Sequence, residues 1–400
     1  MKPAFSNSEL RKQFEAELRE NILKYWMTHP LDRENGGFYG EITNDNQIHN
    51  EIERSAVLCG RLLWTYSLAY NHFKDESYLE TAEWFFDYLT TRFWDEKYQG
   101  IYWALDAQGL PVNDRKHTYA QAFAIYGLSA YYQVTGREES LSLAKQLFKL
   151  IDQHTYDNVN GGNIECRARD WSTLTDMRLS ALEIDSQKSM NTLLHLMEAY
   201  TALSKIWPDA LLIRRLDELV RIFIKHIIDP ETAHQRLFFD EQWQSLSGQI
   251  SFGHDIEASW LLLEAAEALN DTDLIAQAKA IGVDMAQKVY QQACGADGSI
   301  IYEEEANGQQ VSKRHWWAHA EAVVGFYNAY QLSGEDHYQK AALRVWEYIQ
   351  QHFVDRKNGD WFKVLEEDGT AILDHVKVGP WECPYHHARM CMEMMVRLGG

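Results

Sequence analysis

The chain has 400 residues, 46 % of them hydrophobic, and 38 basic against 59 acidic side chains leave a net charge of −21. That hydrophobic content excludes wholesale disorder, and so strong an acidic excess argues against a nucleic acid or an anionic membrane surface as partner. Aromatic residues reach 13 %, with Trp 14, Tyr 21 and Phe 16, a surplus that fills cores and also suits a protein that stacks flat faces on a sugar ring.

The first fourteen residues, MKPAFSNSELRKQF, contain no apolar run that could serve as a signal-peptide core. No later window holds the roughly 18 uninterrupted apolar residues of a membrane span. From there, apolar residues at three- and four-residue steps predict helices over 7–27, 52–73, 75–92, 116–135, 137–154, 184–205, 209–228, 254–269, 271–290, 313–334, 336–353 and 383–397. Tight polar turns such as Lys74-Asp75-Glu76, Thr135-Gly136-Arg137, Asn270-Asp271 and Ser333-Gly334-Glu335 join many of them into antiparallel hairpins. Between hairpins run short ribbons rich in glycine, aromatic or β-branched residues, at 36–40, 100–103, 161–164, 237–240, 298–302 and 359–362. A period of about 60 to 70 residues with alternating elements is the mark of a repeat architecture.

Six hairpins fit an all-α (α/α)6 barrel, a single catalytic domain over residues 1–400, rather than the two or three domains suggested by length. An open solenoid competes, but neither end shows the polar capping repeat a solenoid needs. In a barrel, the second helix after each ribbon is expected to begin at one shared mouth. Polar and aromatic residues converge there: Arg61, Tyr119, Asn191 with His195, His254 with Glu257, Trp317 with Glu321, and His386.

Each candidate has a plain structural reading beside the functional one. His254 and Glu257 are three apart, so the carboxylate is placed to steady a general base, or the histidine merely packs beside a helix cap. His386 closes the loop Gly379-Pro380-Trp381-Glu382-Cys383-Pro384-Tyr385, a poor core pattern, with His387 as an alternative inward face. Asn191 and His195 share a helix face and form either a ligand site or a hydrogen-bonded core pair. His315 and His319 have zinc-compatible spacing but no third ligand at a recognisable interval, so no metal is expected. The five cysteines, Cys59, Cys166, Cys294, Cys383 and Cys391, form no C-x-x-C pair, as expected of a reduced, cytoplasmic enzyme. No Gly-x-Gly-x-x-Gly, Walker or Gly-x-Ser-x-Gly pattern signals a nucleotide cofactor or a serine hydrolase.

The stretches 253–260 (GHDIEASW), 316–326 (WWAHAEAVVGF), 188–195 (KSMNTLLH) and 381–386 (WECPYH) resemble those of the cellobiose 2-epimerase family, in the N-acylglucosamine 2-epimerase superfamily. Stretches 60–64 (GRLLW) and 116–123 (KHTYAQAF) agree, so the resemblance runs through essentially the whole chain. It implies an (α/α)6 barrel that interconverts glucose and mannose at the reducing end of a β-1,4-linked disaccharide such as cellobiose, without cofactor or metal. The partner would then be a small carbohydrate, and the protein a monomer or weak homodimer. The resemblance assigns His254 and His386 as the acid/base pair and His195, beside Asn191, to ring opening. Arg61 would stabilise the enolate and Glu257 would orient His254. Trp317, Trp381 and Trp260 would shape and stack, while Tyr119 and Glu321 would bind hydroxyls.

Departures at Glu382, His387-Ala388, His319 and 173–187 bear on the outer sugar subsite. They keep a mannose 2-epimerase or mannose–fructose isomerase, acting on free monosaccharide, as the near alternative. An (α/α)6 glycoside hydrolase would instead use Glu257 with Glu321 or Asp255 across one bond. A catalytically inactive sugar-binding protein is the third reading.

Overall fold

Burial separates the helices into two kinds. Helix α3 (Ala56–Phe73) is buried on every side from Ala56 to Ser67, whereas α8 (Ala210–Ile222) buries one stripe, Leu212, Leu216, Leu219, Val220 and Ile222. A helix apolar all round belongs inside a second layer, and a striped one belongs on the outside. The structure, a computed structural model describing residues 6–180 and 183–399, arranges the chain accordingly. The inner helices α3, α5 (Thr118–Thr135), α7 (Met190–Ile206), α9 (Phe252–Leu269), α11 (Trp316–Ser333) and α13 (Tyr385–Arg397) pack in that order, and α13 returns to α3. The ring is therefore closed, an (α/α)6 barrel rather than an open solenoid.

Outer helices α4 (Glu76–Tyr88), α6 (Glu138–His154), α8, α10 (Thr272–Gln292) and α12 (Asp336–Tyr348) each lie on the inner helix before them. The sixth outer position is filled from the other end of the chain. Helix α1 (Asn7–Ala16) runs through Glu17–Leu23 into α2 (Lys24–Thr28) and packs on α13. The turns inside the hairpins work as their composition requires. Lys74, Gly136, Asn270 and Gly334 end inner helices in the left-handed conformation, and Asp75 and Asp271 then cap the next helix through their carboxylates. Helices α3 and α5 approach so closely that a Cβ on Gly60 would lie 2.7 Å from the Phe123 carbonyl oxygen, and one on Gly127 would lie 2.6 Å from that of Gly60.

One expectation is reversed. The inner helix is the first after each ribbon, not the second, because the ribbon leads directly into it. Residues 184–189 are also not helical: Lys188–Ser189 pairs as a strand with Phe238–Phe239, and the Ser189 hydroxyl caps α7 at Thr192.

The same pairing recurs around the mouth. Arg54–Ser55 pairs with Ala104–Leu105, Lys116–His117 with Cys166–Arg167, Ile250–Ser251 with Glu303–Glu304, and Arg314–His315 with Val364–Leu365, all antiparallel. An Ile42–Val378 bridge joins the last repeat to the first. Beneath each of four of these links lies a buried ion pair: Arg54–Asp32 at 3.1 Å, Lys116–Asp95 at 3.0 Å, Lys188–Asp157 at 2.8 Å and Lys377–Asp355 at 2.5 Å. Each of these aspartates also accepts backbone N–H groups in its own tight loop, so one side chain fixes both the loop and the strand that aims the next inner helix.

Candidate active site

Because every inner helix starts at the strand-crowned end, the first two turns of α3, α5, α7, α9, α11 and α13 bring Arg61, Tyr119, Asn191, His195, His254, Glu257, Trp317, Glu321 and His386 to that end of the barrel. Their charges act on one another. Burial holds the His386 imidazole well below its ordinary value, and Arg61, Arg389, His195 and His254 add to that effect. The same forces hold His254 down to about 3, through burial first and then His195 and Arg61. Both imidazoles are therefore neutral near pH 7 and able to accept a proton.

Two of the histidines are steadied by carboxylates. His386 Nδ1 lies 2.7 Å from Glu321 Oε1, and His195 Nδ1 lies 3.0 Å from Glu198 Oε2. A carboxylate only accepts, so Nδ1 carries the proton in each ring; in His386, held neutral by burial, Nε2 keeps its lone pair. Both pairs meet at Arg389, which was not among the residues singled out from sequence and neither was Glu198. The Arg389 guanidinium donates to Glu198 Oε1 at 2.5 Å, Glu321 Oε1 at 2.7 Å, Glu257 Oε1 and the Tyr385 hydroxyl. Burial alone would raise the Glu198 carboxyl; Arg389 and His195 overcome it and hold the group at about 2.

Glu257 does not orient His254, as its three-residue spacing implied. It is taken by Arg389 and lies 3.8 Å from His386 Nδ1, while His254 Nδ1 is held by the Ser251 hydroxyl at 2.7 Å. Burial and the nearby Glu321 charge push Glu257 up to about 7, and its Oε2 has no hydrogen-bond partner. Glu321 likewise does not bind sugar hydroxyls: Oε1 serves His386 and Arg389, Oε2 accepts from Trp260 Nε1 at 3.2 Å, and the residue is 1 % exposed. Trp260, 2 % exposed, stands behind the site as that donor rather than as a stacking face.

Trp317 touches both His254 and His386. Its ring centroid is 4.7 Å from His254 and 5.4 Å from His386, and the ring is half-buried. Gly253 makes room for it, since a Cβ there would come within 2.6 Å of the indole. Arg61 is buried with no carboxylate partner among the described residues. It donates to the Tyr119 hydroxyl at 3.0 Å and to Cys383 Sγ at 3.4 Å, and the rings of Phe123 and Tyr385 lie 4.3 and 4.7 Å from its Cζ. A desolvated cation without a counter-ion is placed to meet negative charge that develops on a substrate. Tyr119 also meets Trp381 at 5.9 Å and His195 at 5.2 Å, edge to face. Asn191 sits in the first turn of α7 with a buried Oδ1 that has no partner among the described residues.

The remaining candidates lie outside this group. His319 uses both ring nitrogens on backbone, accepting from Ile300 N–H at 2.9 Å and contacting the His315 carbonyl at 2.8 Å, so the 315/319 pair cannot hold zinc. His387 turns away to Asp360 at 2.7 Å. Glu257, Glu321 and His386 present ligand atoms within 4.8 Å of one another, but the cation at that point is the Arg389 guanidinium. That shared guanidinium also excludes the hydrolase reading, because two carboxylates on one arginine cannot flank a glycosidic bond. Asp255 is bound by His234 at 2.7 Å and the Gln235 N–H at 2.9 Å.

Histidines, a buried arginine and half-buried tryptophans thus gather at the strand-crowned mouth of an (α/α)6 barrel. The family profile described as N-acylglucosamine 2-epimerase (GlcNAc 2-epimerase) matches residues 37–390, and the chain belongs to that family. It is 41 % identical to a cellobiose 2-epimerase of Bacteroides fragilis over 96 % of this chain and 98 % of the relative. It is 36 % identical to one from Ruminococcus albus over 98 % of each. Among solved structures, the cellobiose 2-epimerase of Bacillus thermoamylovorans superposes with a TM-score of 0.93 at 37 % identity, covering 98 % of this chain and 100 % of that one.

Proposed function

We propose that the protein epimerises C2 of the reducing-end hexose in β-1,4-linked disaccharides such as cellobiose, interconverting glucose and mannose ends. The observation that supports this reading is that His254 and His386 both contact Trp317 and both lie within reach of the Arg61 charge. Inversion at carbon requires proton transfer on both faces, and two imidazoles meet that requirement near neutrality. In the open-chain sugar one imidazole takes the C2 proton. The electron pair moves onto the C1 carbonyl oxygen, giving a cis-enediolate whose charge Arg61 balances. After rotation about C2–C3 the other ring, having taken a proton from solvent while the first ring releases its own there, delivers that proton to the opposite face. His195 with Asn191 handles ring opening, Tyr119 binds a hydroxyl, and Trp381 and Trp317 cover the ring. Glu257, Glu321 and Trp260 act on the histidines rather than on the sugar.

In this reading one catalytic domain spans the chain and works as a monomer or weak homodimer in the cytoplasm. Among the described residues no helix is long and apolar enough to cross a membrane. No metal takes part, so dialysis against EDTA leaves the rate unchanged. Incubation with cellobiose in D₂O is expected to place deuterium at C2 of both epimers; no exchange with any glucose- or mannose-ended sugar overturns the assignment. Relative rates on cellobiose, mannobiose, lactose and free mannose separate the disaccharide enzyme from the monosaccharide alternative. Fructose as the main product from mannose would mark an isomerase instead.

A further inference from the structure

Below the catalytic layer the barrel axis opens a second time. The C-terminal halves of α3, α5, α7, α9 and α13 enclose a basal well of about 240 Å³, rimmed by the exposed residues Asn71, Gln133 and Lys205. Its inner end is formed by Glu198, Arg389 and Trp260, so a single layer of side chains separates it from the histidines.

The well is acidic. Glu264 and Glu393 face it from α9 and α13, and Glu198 borders it from α7. The cations near them are divided among several partners, and Lys205 and Arg397 only partly offset the charge at Glu264. Arg389 is shared among three carboxylates, Arg397 bonds Asn328 and Gln331 as well as Glu393, and Lys205 stands at the exposed rim. Burial, then the neighbouring Glu393, push the Glu264 carboxyl up to about 7, a strain that a bound cation relieves. A separate observation points the same way. Ser129 forms part of the wall at 2 % exposure, and its hydroxyl has no hydrogen-bond partner among the described residues. Buried polar groups left this way call for a ligand that supplies the missing bonds.

We propose that the basal well binds a small primary ammonium compound, whose N–H donors meet Glu264, Glu393 and the Ser129 hydroxyl. A primary amine fits better than a quaternary one because the aromatic faces are already used. Trp64 and Tyr126 stack on each other at 5.2 Å and 13°, and Arg389 covers Trp260 at 4.8 Å, so no open aromatic cage is left for a methylated cation.

Calorimetric titration of the full chain with 1,4-diaminobutane, and with the neutral isostere 1,4-butanediol, tests the assignment. Saturable one-to-one binding of the diamine is expected, weaker by about tenfold or more for the diol and for Glu264→Gln. Glu264→Gln also removes a like-charge contact, so its thermal midpoint is expected at or above that of the parent. Glu393→Gln serves as a second variant with the same expected loss of affinity. Equal binding of diol and diamine, undiminished binding in both variants, or no saturable binding overturns the proposal.

Discussion

Arg389 joins the His195–Glu198 and His386–Glu321 pairs into one unit, and its fork reaches carboxylates from three other helices. Lysine keeps the charge but presents a single point, so it cannot hold three carboxylates in plane. Arg389→Lys is therefore expected to lower kcat about ten- to a hundredfold with a smaller change in KM, because it loosens the bases and not the sugar contacts. Removing a base itself, as in His254→Ala or His386→Ala, is expected to cost on the order of 10²–10⁴-fold in kcat with the circular dichroism spectrum unchanged. Gly253→Ala belongs to the same scale: its Cβ would meet Trp317 at 2.6 Å, so the indole is displaced from its contacts with His254 and His386 and turnover is expected to fall. The depressed imidazoles also set the pH response. A base with a lowered pKa stays neutral, and so competent, as pH falls through the ordinary histidine value of 6.5, and loses function only when protonated below it. With His254 near 3 and His386 held in the same direction, the acid limb of kcat/KM is expected below pH 6.5. An acid limb at or above 6.5 would contradict the burial argument.

At the scale of elements, the aspartate loops set where the inner helices begin. Lys188 Nζ is fully buried and bonds Asp157, the Gly161 carbonyl and the Glu241 carbonyl. Asp157→Ala leaves that ammonium without its counter-ion and removes the caps at Val159 and Asn160, so a loss of about 3–5 kcal/mol is expected, read as a lowered thermal midpoint. These loops were only half legible in the sequence. Glycine-flanked ribbons and the helix hairpins stood out because turn chemistry is local, whereas a lysine reaching an aspartate 31 residues away leaves no local trace. The order of inner and outer helices was misread because both members of a hairpin carry apolar periodicity, and only burial on the second face tells them apart. At the site, spacing alone was ambiguous for the same reason. His195 and Glu198 are three apart and bond; His254 and Glu257 are three apart and do not, because Arg389 arrives from α13 and takes Glu257. Arg389 had one sequence signal, a lone cation in the apolar run Ala388-Arg389-Met390-Cys391-Met392, and Glu198 had another, following His195 at helical spacing on a buried face.

For the whole molecule, closure depends on two ends of the chain meeting. The N-terminal helix buries Leu10, Phe14, Leu18, Ile22, Leu23, Tyr25 and Trp26 against the last repeat. It also supplies polar partners there: Glu17 accepts from Trp361 Nε1 at 2.7 Å, Asn21 accepts from the Asp360 N–H at 2.8 Å, and Gln13 accepts from Trp346 Nε1 at 3.1 Å. Seven side chains at about 1.5–3 kcal/mol each amount to roughly 10–20 kcal/mol of burial, as large as the whole stability of an ordinary domain. Removing residues 1–28 would strip α13 of its outer cover, and α13 carries His386 and Arg389. The truncated chain is expected to lose the cooperative thermal transition and all epimerase activity together. Adding the 1–28 peptide back in excess is expected to restore part of both, since the groove it leaves is formed by α13 and the Trp346–Trp361 region. A truncated protein that melts cooperatively and turns over at the parent rate would show that the ring is held closed by α13 and α3 alone.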